Sequence, residues 1–227
     1  MQVTWLGHSC FLLRASNGIA VLLDPFDEEV GYPLPDVQAD IVLISHEHTD
    51  HNNEKAVRES PLVIRKEGLH SALGIEFLGI STWHDREEGR LRGENTIFCF
   101  TLDGVRVCHL GDLGHLLSDA DVKAIGPVNL LFIPVGGVYT IGARDAFAVM
   151  QQLDPDVAIP MHYQTSALSF ELEPVDDFLK GREYEGPLQS LTLRSQGLQE
   201  DRQKRRRPSG KVVLLRYPGE RGAGSID

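Results

Sequence analysis

Apolar residues fall into short runs separated by Gly, Pro, Asn and Asp. Gln2 to Leu6 predicts a strand, a turn follows at Gly7, and Phe11 to Leu13 continue as a second strand. Asn17-Gly18 is a tight-hairpin dipeptide, because both residues accept positive φ. It leads into a third strand, Ile19 to Leu23, closed by Asp24-Pro25. Residues 26–38, rich in Pro, Gly and acids, predict a loop. The next run, DIVLIS from Asp40 to Ser45, is almost wholly apolar, as expected of a strand covered on both faces, and it runs directly into His46. Asn53–Ser60 predicts a short helix, and Leu62–Arg65 and Glu76–Thr82 predict strands. Asp85–Glu94 is a charged loop. Asn95–Leu102 alternates as a strand, turns tightly at Asp103-Gly104, and returns through Val105–Leu110 to stop at Gly111-Asp112.

Strands then alternate with helices. A helix is predicted over Ser118–Ala124 with Ser118 as N-cap. A buried strand, Leu130–Pro134, ends at Gly136-Gly137, and Ala146, Phe147, Val149, Met150 and Leu153 recur at helical spacing over Arg144–Leu153. Asp156–Pro160 is a strand that delivers Met161-His162, and Val175–Leu179 predicts another helix. Leu191–Arg194 and Lys211–Arg216 are expected to close a final hairpin across a polar loop containing the basic run 204–207, with 219–227 as a frayed tail. The pattern predicts one α+β domain over residues 1–218, with two sheets and outer helices.

The 227 residues are 41% hydrophobic and 24% charged, enough to bury a core without disulfides. A net charge of -11 and a basic run that is short and lacks interleaved aromatics argue against nucleic-acid binding. Cys10, Cys99 and Cys108 form no CxxC pattern. Cys99 and Cys108 lie in apolar strands, so they are expected as inert thiols in a reducing compartment. No basic stretch precedes the first apolar run, and no run approaches the roughly eighteen apolar residues of a membrane span. A cytoplasmic protein with no membrane partner is expected.

The chemistry concentrates in Ser45-His46-Glu47-His48-Thr49-Asp50-His51, where three histidines and one aspartate occupy six positions directly after a buried strand. Imidazole and carboxylate are ligands for zinc, iron or manganese. In a tight turn His46 and His48 can converge on one metal while Asp50 and His51 face a second. Solvated histidine clusters seldom follow a buried strand with an acid interleaved. Asp24, His84, Asp112 and His162 each end an apolar strand, which would bring them to one rim of a sheet.

These motifs, in this order, resemble the metallo-β-lactamase superfamily, and within it a branch of small hydrolases similar to ascorbate-6-phosphate lactonase and the N-acyl-phosphatidylethanolamine phospholipase D group. The resemblance covers nearly the whole chain: WLGHSCFLL, Asp24-Pro25, residues 46–51, His84, Gly111-Asp112 and His162. It implies an αββα sandwich of two mixed β-sheets with helices outside. It also implies a first metal held by His46, His48 and His84, a second held by Asp50, His51 and His162, and Asp112 bridging both. Asp24 would steady the ligand loop. The implied cofactors are two divalent metal ions, zinc first, with manganese or iron also suited. The implied reaction is attack by a metal-bridged hydroxide on an ester-like bond of a small molecule, lactone or phosphoester foremost, with Asp50 and Asp112 as the catalytic carboxylates. Similar proteins form homo-oligomers, although no interface pattern stands out in this chain.

Other residues carry weaker signals. His8 could contact substrate or buttress a ligand, or be satisfied by backbone; His115 could support a ligand or belong to a plain loop. Arg92, with Arg90, suits an anionic substrate if its loop overhangs the metals; the alternative is a solvated charged loop balanced by Asp85, Glu87 and Glu88. Tyr139 and Tyr163 could face the pocket or pack. His109 reads as structural, and His70, in a loop or short helix, has no role. Two rivals to hydrolysis are an iron-dependent oxidoreductase and a metal-pocket sensor without turnover.

Overall fold

In the computed structural model, which describes residues 1–198 and 210–220, the strand-forming runs assemble into two mixed sheets. The N-terminal hairpins are β1 (Gln2–Gly7), β2 (Cys10–Arg14) and β3 (Ala20–Leu23). After them come the two-residue β4 (Val37–Gln38), then β5 (Ile41–Leu43), β6 (Val57–Arg58) and β7 (Leu62–Ile64). The second set begins with β8 (Gly68–Ala72), β9 (Ile75–Trp83), β10 (Glu94–Leu102) and β11 (Val105–His109). It continues through α1 (Asp119–Ile125), β12 (Leu130–Pro134), α2 (Ala143–Leu153), β13 (Val157–Met161) and α3 (Asp176–Leu179), and ends with β14 (Tyr184–Leu188), β15 (Leu191–Thr192) and β16 (Lys211–Leu215).

One sheet has the order β15-β1-β2-β3-β5-β7 and the other β14-β16-β13-β12-β11-β10-β9-β8. Each joins antiparallel hairpins to parallel strands: β3, β5 and β7 run parallel, as do β11, β12, β13 and β16. The parallel strands β5, β12 and β13 are buried along their whole length, which explains their unbroken apolar sequences. The sheets pack face to face, with the rings of Phe11 on β2 and Phe132 on β12 4.2 Å apart. Helix α2 packs on β12 and α3. This is the expected α+β sandwich, with 3-10 turns at Glu28–Val30 and Glu54–Ala56 in the connections of the smaller sheet. Ser118 caps α1 as expected, in a reciprocal capping box with Asp121.

Several local expectations change. The helix expected over Asn53–Ser60 is a single 3-10 turn followed by β6: Asn53 spends its amide on the carbonyl of Phe26, and buried Val57 is drawn into extended pairing with β4. The 26–38 loop contains one 3-10 turn, capped by Asp27, and β4. Strands β8, which includes His70, and β14 were not foreseen. Both are sheet-edge strands with mostly exposed, polar or Gly-containing sequence, so pairing rather than burial defines them. The expected terminal hairpin does not form. β15 pairs with β1, whereas the apolar β16 is inserted in the other sheet between β13 and β14. The basic run 204–207 lies outside the described residues, as does the expected tail beyond Glu220. Cys10, Cys99 and Cys108 are buried free thiols. No helix among the described residues is long and apolar enough to cross a membrane.

Candidate metal centre

The ends of four strands and one hairpin turn converge between the sheets. β5 leads into residues 45–51, β9 into His84, β11 into Gly111-Asp112, β13 into His162, and the β1–β2 turn presents His8. Two glycines make this convergence possible. Gly7 has φ 118°, and a Cβ there would strike the Tyr32 ring. Gly111 has φ 54°, and a Cβ would strike Asn95 and Ser45. Asn95 clamps that second turn, accepting from the Asp112 amide at 2.9 Å and donating to the Leu110 carbonyl at 3.0 Å.

Two groups of donors result. Ligand atoms of His46, His48 and His84 lie within 4.8 Å of one another, as do those of His8, Asp50, His51 and His162. Asp112 stands between the groups. Its Oδ2 is 3.2 Å from His84 Nε2, 3.1 Å from His162 Nε2 and 3.9 Å from His46 Nε2, while Oδ1 is 3.3 Å from His51 Nε2. Bonds of about 2.0–2.1 Å to a tetrahedral ion would space neighbouring donors about 3.3 Å apart, so these separations suit shared coordination. His46 Nε2, His51 Nε2 and Asp112 Oδ1 are buried without a hydrogen-bond partner, a costly arrangement that a bound cation would relieve. The residues present therefore fit divalent metal.

Behind both groups lies Asp24, fully buried. Its Oδ1 accepts from the Ser45 amide at 2.7 Å. Its Oδ2 accepts from Ser45 Oγ at 2.7 Å, His51 Nδ1 at 3.0 Å and His109 Nε2 at 2.7 Å. An ionised carboxylate only accepts, so these contacts assign the protons. His51 carries hydrogen on Nδ1. Ser45 donates its hydroxyl to Asp24 and must accept from His46 Nδ1, 2.9 Å away. In their neutral forms His46 and His51 thus both turn a proton-free Nε2 to the centre, the tautomer a ligand needs. One carboxylate reaches a donor in each group, His51 directly and His46 through Ser45.

The electrostatics divide the histidines. Burial, reinforced by His51, pushes His46 well below the usual imidazole range, and partial burial with nearby His84 lowers His48. Burial would also lower His51, but the carboxylates of Asp112 and Asp50 raise it well above that range. Burial opposes the charge on Asp112, yet His162 and His51 hold it well below the carboxylate range. The Asp112 and Asp50 carboxylates favour a second proton on His51, at Nε2, in the metal-free protein, so a metal must displace it, whereas His46 is neutral already. Because the raised pKa belongs to the metal-free state, affinity should fall as pH drops beneath it, by about one decade per unit for the site using His51. Metal titrations of the stripped protein between pH 6 and 8 should show this slope; a flat profile would refute the proton assignment.

His48, Asp50, His84, Asp112 and His162 open onto a cavity of about 380 Å³ walled by Arg92, Tyr139 and Phe170. Arg92 lies over the Tyr139 ring, 5.2 Å from its centroid. Its loop is organised by Asp85, whose carboxylate accepts from the backbone amides of Glu87, Gly89, Leu91 and Arg92. Arg90 pairs with Glu87 rather than lining this cavity, and buried Tyr163 packs against Trp5. His115 accepts from the Trp83 amide at 3.2 Å and so braces the end of β9 beside His84. The supporting roles of Ser45, Asn95, Asp85 and Phe170 escaped sequence reasoning, whereas His109, read as structural, hydrogen-bonds buried Asp24. The acid directly after His84 and the serine directly before His46 were the available signals.

A family model described as a beta-lactamase superfamily domain matches residues 2–162. The chain is 32% identical over 220 residues to a UPF0173 metal-dependent hydrolase of Archaeoglobus fulgidus, covering 82% of this chain and 92% of that protein. It is 31% identical over 212 residues to a UPF0173 metal-dependent hydrolase of Pelotomaculum thermopropionicum, covering 78% and 90%. Among solved structures, one from Thermotoga maritima assigned to the Zn-dependent hydrolases of the metallo-β-lactamase superfamily aligns at 40% identity with a TM-score of 0.76, covering 94% of this chain and 97% of that one.

Proposed function

Because the chain belongs to the metallo-β-lactamase superfamily of metal-dependent hydrolases, we propose that it uses two divalent ions to hydrolyse a small anionic lactone or phosphoester. His46, His48 and His84 would hold one ion, Asp50, His51 and His162 the other, and Asp112 would bridge them. The carrying observation is the position of Asp112, whose carboxylate lies 3.1–3.9 Å from Nε2 atoms of both groups. The ions, when bound, would activate water at neutral pH and polarise the scissile carbonyl or phosphoryl oxygen. Asp112 keeps the two donor groups in register, and Asp24 keeps His46 and His51 in their donating tautomers. Tyr139 and Phe170 give the cavity an apolar wall beside the donors.

Elemental analysis of the purified protein tests this reading. About two equivalents of zinc or manganese per chain, with turnover of a lactone or phosphodiester panel, is the expected result. Fewer than two after reconstitution would overturn the binuclear reading. Predominant iron would favour a redox enzyme, and saturable binding without product across the panel would favour a sensor.

The anionic preference rests on Arg92, the cation at the cavity wall beside the donors. Losing one charge-assisted contact of about 1.5 kcal/mol corresponds to about a tenfold change. Arg92→Ala should therefore raise KM about tenfold for anionic esters and leave neutral analogues nearly unchanged. Equal losses on both would remove the preference. A reducing, intracellular setting belongs to the same reading, supported by Cys99 and Cys108, which face each other across β10 and β11 as free thiols.

A further inference from the structure

His8 sits in the turn between β1 and β2, and its side chain has no exposure to solvent. Its backbone is left-handed, with φ 51°, a conformation that costs energy in a residue with a Cβ and survives only where surroundings enforce it. Three features enforce it here. Gly7 lets the chain pass against Tyr32. The Trp5 indole donates to the His8 carbonyl at 2.9 Å, and the same carbonyl accepts from the His162 amide at 3.3 Å. The turn is thereby fastened to the strand end that carries His162. The imidazole is walled by rings of His162 at 4.3 Å, His51 at 5.2 Å and Phe170 at 5.6 Å, between centroids.

Within that enclosure His8 has one polar contact: Nε2 lies 3.1 Å from Asp50 Oδ2, in the alignment of a hydrogen bond, while Nδ1 has no partner. Asp50 is only an acceptor when ionised, so the ring hydrogen resides on Nε2. This differs from His51, whose scaffold hydrogen bond runs from Nδ1 to Asp24 and leaves Nε2 facing the centre, 3.3 Å from Asp112 Oδ1. Asp50 also faces His51, whose Nε2 lies 3.6 Å from the same Oδ2, beyond hydrogen-bond distance. It is partly exposed, and His8 is its sole side-chain hydrogen-bond partner among the described residues.

We propose that His8 is the positioning residue for Asp50, fixing the rotation of its carboxylate by donation from Nε2 so that it faces the second metal, and is not itself a metal donor. The proposal rests on the binuclear reading only in taking Asp50 as a donor to that ion.

The test compares wild type, His8→Ala and His8→Gln, each stripped and then titrated with zinc against a competing chelator. Metal equivalents per chain are counted, and thermal unfolding is followed without metal. The left-handed backbone burdens both variants alike, so their difference reports the side chain. His8→Ala should weaken the second equivalent about 10–100-fold and leave the first close to wild type. His8→Gln, whose amide can donate to Asp50, should recover most of that loss. A second equivalent weakened equally in both variants would overturn the proposal and make His8 a ligand. A second equivalent unchanged in both would also overturn it. Loss of the first equivalent alongside the second would reduce His8 to a packing residue. If wild type itself takes up only one equivalent, the binuclear reading fails, and the cause is then distinct from His8.

Discussion

Replacing Asp112 with asparagine is expected to lower kcat/KM by about a thousandfold or more, because lost metal charge stabilisation of several kcal/mol converts at about 1.4 kcal/mol per decade. The substitution keeps the shape of the side chain, so the Asn95 clamp on the Asp112 amide survives. What disappears is the negative charge between His46, His51, His84 and His162. Without it the two groups lose their common donor, and each cation faces the other across a neutral amide. Metal content should therefore fall in both positions, and added metal should not restore turnover. Measuring activity and bound metal in the same preparation separates a catalytic loss from simple depletion. Wild-type turnover in this variant would falsify the binuclear mechanism.

Asp24 is expected to show the largest effect on stability. Asp24→Ala strands the Ser45 amide, the Ser45 hydroxyl, His51 Nδ1 and His109 Nε2 in a site with no access to water. Removing one partner from a buried charged network costs about 3–5 kcal/mol, as large as the stability margin of some domains. Asp24→Asn is a milder second variant: it keeps one accepting oxygen but turns an amide N–H toward three donors. Denaturant unfolding of the metal-stripped protein should show the loss, and metal affinity should weaken at both positions because His46 and His51 lose their enforced tautomers. A loss confined to the His51 side would overturn the claim that Ser45 relays the effect to His46. The sign with pH follows from the charge. Burial resists ionisation of Asp24, but His109 and His51 hold its pKa below the usual range. This contribution is thus fully present above the unfolded value of about 3.9 and is lost as pH falls toward the folded one.

These two residues mark where sequence reading ends. His46, His48, Asp50 and His51 were legible because they are contiguous and follow an apolar strand, so local spacing alone announces a ligand turn. His84, Asp112 and His162 were legible as polar residues that stop apolar strands, and the motif order carried the sandwich fold. Strand formation in β5, β12 and β13 was equally plain, since a strand buried on both faces must be apolar throughout. The chain's own chemistry thus determined the fold class and the donor types. Tertiary structure decided which donors share a centre and what holds them. Asp24 meets His109 across 85 residues, His8 meets Asp50 across 42, and Asn95 reaches Asp112 across 17. No period or spacing encodes such meetings; they depend on how two sheets stack and which strand ends coincide. The same holds for β16, whose apolar sequence suited either sheet until the gap between β13 and β14 accepted it. It holds too for residues 53–60, where the buried Val57 and its partner strand outweighed a weak helical preference.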